Sequence, residues 1–99
     1  MKHSLTSRDF SSVLSHSKAY TINSVLFRFT RNSSPAVGFI IKKTIGNAVE
    51  RNMFKRQCRL LFVQSKQNIK LIIKPLEHVS KLNKLGVRFA ELNKRISCD

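Results

Sequence analysis

The residues in this sequence best able to do chemistry are basic, and they cluster. From Lys42 to Arg59 the chain reads KKTIGNAVERNMFKRQCR, setting Lys42, Lys43, Arg51, Lys55, Arg56 and Arg59 against the single acid Glu50. On a helix turning about 100° per residue, Arg51, Lys55 and Arg59 fall within about 80° of one another, with Asn52 near 100° and Arg56 near 140°. Val49, Met53, Phe54, Cys58, Leu60 and Leu61 take the remaining arc, from about 160° to 340° on that wheel. The spacing predicts a helix with a basic stripe turned outward and an apolar stripe turned toward the core. Solvated helix faces usually mix signs, because opposite charges four residues apart gain roughly 0.2–0.5 kcal/mol per pair. Here like charges hold that spacing, and bound phosphate is what would offset their repulsion. A helix that reads DNA needs a partner helix before it, whereas strand-like sequence precedes this one, so RNA is favoured over DNA.

Hydrolytic chemistry is poorly served. Asp9, Glu50, Glu77, Glu91 and Asp99 are the only carboxylates, scattered over separate elements, while two-metal hydrolysis needs several acids converging. Glu50 also has a local task, three residues after the helix-capping Asn47. His3, His16 and His78 are isolated in sequence, and a lone histidine is more often a surface or packing residue than a base. His16, next to the first helix, has the best claim of the three. Cys58 and Cys98 have neither disulfide-framework nor zinc-site spacing. They read as a buried thiol and a loose terminal one. The expectation is a protein with no catalytic residue, metal ligand or bound cofactor of its own.

The elements that must position the basic stripe follow from composition and periodicity. The 99 residues, 41% of them hydrophobic, suffice for one folded domain over 1–99. Nineteen Lys plus Arg against five Asp plus Glu give a net charge of +14, which repels itself unless a polyanion binds. The N-terminus lacks the apolar run of a signal peptide, and no stretch nears the roughly 20 apolar residues of a membrane span. A cytosolic, cytoplasmic protein is the simplest expectation. Phe10, Val13 and Leu14 fall at helical spacing. Lys18 to Arg31 alternates like a strand, Asn32-Ser33-Ser34-Pro35 turns the chain, and Ala36 to Lys43 alternates again, which predicts an antiparallel hairpin or meander. Asn47 and Glu50 form a capping box for a helix over about 47–66. Ile69 to Lys74 is a short strand ended by Pro75. Leu82, Leu85, Phe89, Leu92 and Ile96 mark a last amphipathic helix, with Ser80 as its cap. The fold class is an α+β sandwich in the order α-β-β-β-α-β-α, one mixed sheet with helices packed on it.

The string Gly46-Asn47-Ala48-Val49-x-Arg51-Asn52-x-x-Lys55-Arg56-x-x-Arg59 resembles the signature of the bacterial ribonuclease P protein component. The likeness extends from about residue 5 to 95, through the Asp9-Phe10 helix, the Val37-Gly38 strand and the strand-Pro75-helix close. The resemblance implies a ribosomal-protein-like sandwich with a left-handed βαβ crossover. It implies a partner, a large catalytic RNA that cleaves the 5′ leader from precursor tRNA with magnesium bound on the RNA. A monomer, one copy per RNA, is the implied state. Lys42, Lys43, Arg51, Asn52, Lys55, Arg56 and Arg59 would contact the catalytic RNA; Phe10, Leu14, Leu26 and Arg28 would line a cleft for the leader. The chain departs from the family pattern at Met53, where a second arginine is usual, and at Thr44, where a lysine is. It departs also at Leu60, at Ser17, and at Arg28, which stands in place of an aromatic. A structural RNA-binding or ribosomal-type protein is the alternative from another class, and a DNA-compacting protein a weaker third.

Overall fold

The computed structural model describes residues 5–97; His3, Cys98 and Asp99, weighed above, lie outside that range. The elements run α1 (Ser7–Ser15), β1 (Lys18–Ile22), β2 (Val25–Arg31), β3 (Ala36–Phe39), α2 (Ala48–Ser65), β4 (Ile69–Pro75) and α3 (Leu85–Ser97). One-turn 3₁₀ segments at Lys43–Ile45 and Val79–Lys81 precede α2 and α3.

Local chemistry accounts for most of these boundaries. Thr6 and Asp9 form a reciprocal capping box that starts α1. Between β1 and β2 a two-residue turn puts Asn23 and Ser24 at φ 45° and 67°, the left-handed pair that matches strand twist in a tight hairpin. The Asn32 side chain accepts a hydrogen bond from the Ser34 N–H at 2.8 Å, closing the turn that leads toward β3.

The sheet order is β1-β2-β4-β3. β1 pairs antiparallel with β2, and β2 with β4, while β3 runs parallel to β4. The β1–β2 hairpin is as expected, but the sequence-based meander through Ala36–Lys43 is not: β4 lies between β2 and β3. The expected long strand also stops at Phe39, leaving Lys42 and Lys43 in the turn before α2. β4 takes a central place, hydrogen-bonded to β2 on one side and β3 on the other, and Ile69, Leu71, Ile72 and Ile73 are buried on its two faces. The last helix also starts later than expected. Ser80 sits in the 3₁₀ segment and Leu82 ends it, so neither belongs to α3.

The two faces of the sheet do different work. Val25, Phe27, Phe29, Ile69, Leu71, Ile73 and Val37 face α2 and α3 and make the main core with Phe54, Cys58, Phe62, Phe89, Leu92 and Ile96. Phe27 meets Phe89 edge-on at 5.5 Å, and Phe39 meets Phe54 likewise at 6.3 Å. The opposite face carries α1, which packs on β4 and β2 through the buried Val13. Gly38 makes that approach possible by its lack of a side chain. A Cβ there would stand 2.7 Å from Phe10 Cε2 and 2.9 Å from Leu5 Cδ1. The Lys70 ammonium completes the docking with a 3.3 Å ion pair to Asp9.

Candidate nucleic-acid interface

The basic helix begins as its sequence requires. The Asn47 side chain accepts from the Glu50 N–H at 2.8 Å, and the Glu50 carboxylate accepts from the Asn47 N–H at 2.9 Å. Such a box typically contributes on the order of 1 kcal/mol. Gly46 comes just before it with extended backbone, and its need is for space: a Cβ would collide with Val79. The Gly46 carbonyl accepts a hydrogen bond from Arg51 Nε at 3.1 Å. Arg51 therefore ties the turn carrying Lys42 and Lys43 to the first turns of α2.

The core contact of α2 is made by Phe54, Cys58 and Phe62, and this rotates the helix away from the expected orientation. Arg51, Lys55 and Arg59 are half-buried along one flank, whereas Asn52 and Arg56 are exposed. Val49, Met53 and Leu60, expected to face the core, are instead 68%, 55% and 60% exposed. The reason is packing: the bulky Phe54–Cys58–Phe62 row fits the sheet, and these three fall more than a quarter-turn from its centre. The Arg59 guanidinium lies 5.3 Å from the centroid of the Phe39 ring, a contact worth about 0.5–1 kcal/mol at a partly exposed site. Its Nε is buried without a hydrogen-bond partner, so the ring holds it. Burial pushes the Cys58 thiol up to about 12, against the nearby charges of Arg59 and Arg88. The thiol is inert where the helix needs a small apolar residue.

The second group of expected site residues lies on the side of the sheet that carries α1. Leu26 pairs with Lys74 and Arg28 with Ile72, so all four share the sheet face that Gly38 and Lys70 offer to α1. Phe10 lies over Gly38, and Leu14 on the same helix is 47% exposed. On that face Arg28 and Lys74 are half-buried beside the fully buried Ile72. Lys74 was not among the expected site residues. The alternation of Lys70 and Lys74 with buried isoleucines in IKLIIKP was the available signal.

The carboxylates are mostly committed elsewhere. Asp9 caps α1 and pairs with Lys70. Partial desolvation pushes its carboxyl up, but the bonds from Lys70 and Thr6 and the Lys70 charge outweigh this and hold it below the ordinary 3.8. Glu50 is occupied by the α2 cap and lies 4.0 Å from His78, and Glu91 pairs with Arg95 at 3.4 Å. His16 lines a depression with Lys18, Phe29, Thr30 and Arg31, and none of the acids just named is in that lining. No helix among the described residues is long and apolar enough to cross a membrane.

Sequence reasoning missed Arg88 altogether. It is 8% exposed, and its guanidinium donates to the Asn23 carbonyl at 3.0 Å and to the Asn83 carbonyl. It fastens α3 to the β1–β2 turn.

Solved structures with this architecture are available. The RNase P protein of Staphylococcus aureus superposes with a TM-score of 0.75 at 19% identity, covering 98% of this chain and 95% of its own. The RNase P protein from Thermotoga maritima, in a complex with 1-(4-fluorophenyl)-2-thiourea, gives 0.68 at 24% identity, covering 88% and 91%. Curated protein sequences give no match. The sequence model described as Ribonuclease P matches residues 2–96, and with that match over nearly the whole chain, this protein belongs to the ribonuclease P protein family.

Proposed function

We propose that this chain is the protein subunit of ribonuclease P, binding the catalytic RNA along α2 and the 5′ leader of precursor tRNA on the side of the sheet that carries α1. The observation that carries the reading is the pairing of family membership with a capped helix whose exposed and half-exposed cations lie on one flank. Lys42, Lys43, Arg51, Asn52, Lys55, Arg56 and Arg59 would meet phosphates of the catalytic RNA. Phe10, Leu14, Leu26 and Arg28, joined by Lys74, would hold the leader. Arg28 can pair with a phosphate or lay its guanidinium plane on a base.

On this reading the protein binds and orients. Cleavage chemistry belongs to the RNA partner and the magnesium bound there, and the protein neutralises phosphate repulsion and adds affinity for substrates that still carry a leader. The subunit acts as a monomer, one copy per RNA, in the cytoplasm.

Reconstitution tests this. The purified protein is added to the ribonuclease P RNA of its own organism at low magnesium with a precursor tRNA. Stimulated leader removal is expected. No stimulation, with the RNA shown active alone at high magnesium, would refute the reading. Phe10→Ala should weaken binding of precursor tRNA more than of mature tRNA, and equal losses would move the leader site elsewhere.

A further inference from the structure

Phosphate contact leaves part of α2 unexplained. Val49, Met53, Leu60 and Val63 are 68%, 55%, 60% and 49% exposed, and their wheel positions fall within about 80° of one another. An apolar ridge of this kind on a charged helix is the sort of exposure that marks a contact surface. Leu60 and Val63 join Asn52, Arg56 and Arg59 in lining an open depression of about 570 Å³, a size within the roughly 300–1,000 Å³ typical of ligand clefts.

The lining has a definite chemistry. Two aliphatic side chains offer a surface for a flat apolar face. Asn52 supplies an amide able both to donate and to accept along an edge. Arg56 and Arg59 supply positive charge, with Arg59 already held by Phe39. No carboxylate lines the depression. A base out of its stack has this combination of apolar face, polar edge and adjoining phosphate, and aliphatic side chains are known to insert where bases are unstacked. A second copy of this chain is disfavoured on the same ground, since two bodies of charge +14 would meet at their arginine rims.

We infer that the Leu60–Val63 ridge of α2 receives an unstacked nucleotide of the RNA partner, its base on the aliphatic side chains and its phosphate on Arg56. The inference rests on the proposed RNA-binding function and adds to it a contact that is not electrostatic.

The test separates the two. Leu60→Ser and Val63→Ser are made, with Arg56→Ala as the electrostatic reference, and binding to the catalytic RNA is measured over a salt series. An apolar contact releases no counterions, whereas each phosphate contact adds about 0.7–0.9 to the salt slope. Each serine variant should therefore bind about three- to tenfold more weakly at every salt concentration with an unchanged slope. Arg56→Ala should flatten the slope by about one. At saturating protein, an unpaired adenine or cytosine shielded from dimethyl sulfate by the wild type should become reactive with Leu60→Ser. Unchanged affinity in both serine variants, or an altered slope in place of a uniform offset, would overturn the inference. So would self-association of the free wild-type protein in sedimentation that the serine substitutions abolish without affecting RNA binding. A wild type that does not prefer this RNA over an unrelated one would overturn the RNA reading itself, and that result is independent of the serine variants.

Discussion

Gly38 is where the smallest change should reach the proposed leader site. In Gly38→Ala the added methyl would lie 2.7 Å from Phe10 Cε2 and 2.9 Å from Leu5 Cδ1, well inside ordinary carbon contact, which is about 3.5–4.0 Å. Both obstructing atoms are at the ends of side chains, so the ring must swing rather than the strand bend. Overpacking of this kind costs about 1–3 kcal/mol, and in a domain of this size each kcal/mol lowers the melting temperature by roughly 4–8 °C. Removing the obstruction supplies the control. In a Phe10→Ala background the ring is gone and only the flexible end of Leu5, 2.9 Å away, must shift into the space it leaves, so the gain of about 0.4–1 kcal/mol from lower unfolded-state entropy should bring the same Gly38→Ala substitution close to neutral. A double-mutant cycle in urea should thus show a coupling of about 1–3 kcal/mol between positions 10 and 38. The preference for precursor over mature tRNA should fall similarly in both single variants, because both displace the same ring. A coupling within about 0.5 kcal/mol of zero, the usual error of additivity, would show that Phe10 does not rest on Gly38 and would refute the packing argument.

Three other outcomes follow from single contacts. Arg88→Met, which keeps the aliphatic stem but loses two hydrogen bonds from a charged donor, should destabilise by about 2–4 kcal/mol in urea denaturation. An effect under about 0.5 kcal/mol, the scale of an ordinary surface substitution, would mean the bonds are not formed in solution. Asp9 is held below its ordinary value, so its pairing with Lys70 stabilises α1 above pH about 4 and is lost as pH falls through the lowered pKa. The protection of α1 amides, taken relative to their intrinsic exchange rates, should fall in acid in the wild type, with a smaller acid-dependent fall in Asp9→Asn. Cys58, with its thiol raised to about 12 and no exposure, should resist alkylation at pH 8 until the protein is unfolded, as mass spectrometry of the native and denatured protein would show.

The parts of this fold legible in the sequence are those fixed within a few residues. The Asn47–Glu50 box set the start of α2, and alternation over Val25–Phe29 set the faces of β2. Local alternation did not show the place of β3, because its partner, β4, arrives only after the whole of α2; the mixed sheet with a βαβ unit that the family resemblance implied did, and β3 runs parallel to β4 across α2. Val49, Met53 and Leu60 were misplaced for a different reason. A helical wheel assigns every apolar residue to one interior, whereas the sheet selects the Phe54–Cys58–Phe62 row, with Leu61 at its margin, and leaves those three outside. Alternation along β2 puts Leu26 and Arg28 on one face, whereas the place of Lys74 beside them needed the β2–β4 register.

The arginines show how a chain with five acids can order many cations. Arg31 donates to the Ile96 carbonyl at 2.8 Å, Arg51 to that of Gly46, and Arg88 to those of Asn23 and Asn83. Arg59 rests on Phe39, and Arg95 lies 5.4 Å from the centre of the Tyr20 ring besides pairing with Glu91. Of these five, only Arg95 meets a carboxylate through the contacts named. Carbonyls and ring faces fix a guanidinium in place without cancelling its charge, as an ion pair would. Arginine suits this role because its planar, weakly hydrated head satisfies several acceptors at once, which the compact lysine ammonium does less well. The fold thus gains rigidity from the same groups that maintain its +14 field, and the positive potential available to a polyanion is not spent on internal salt bridges.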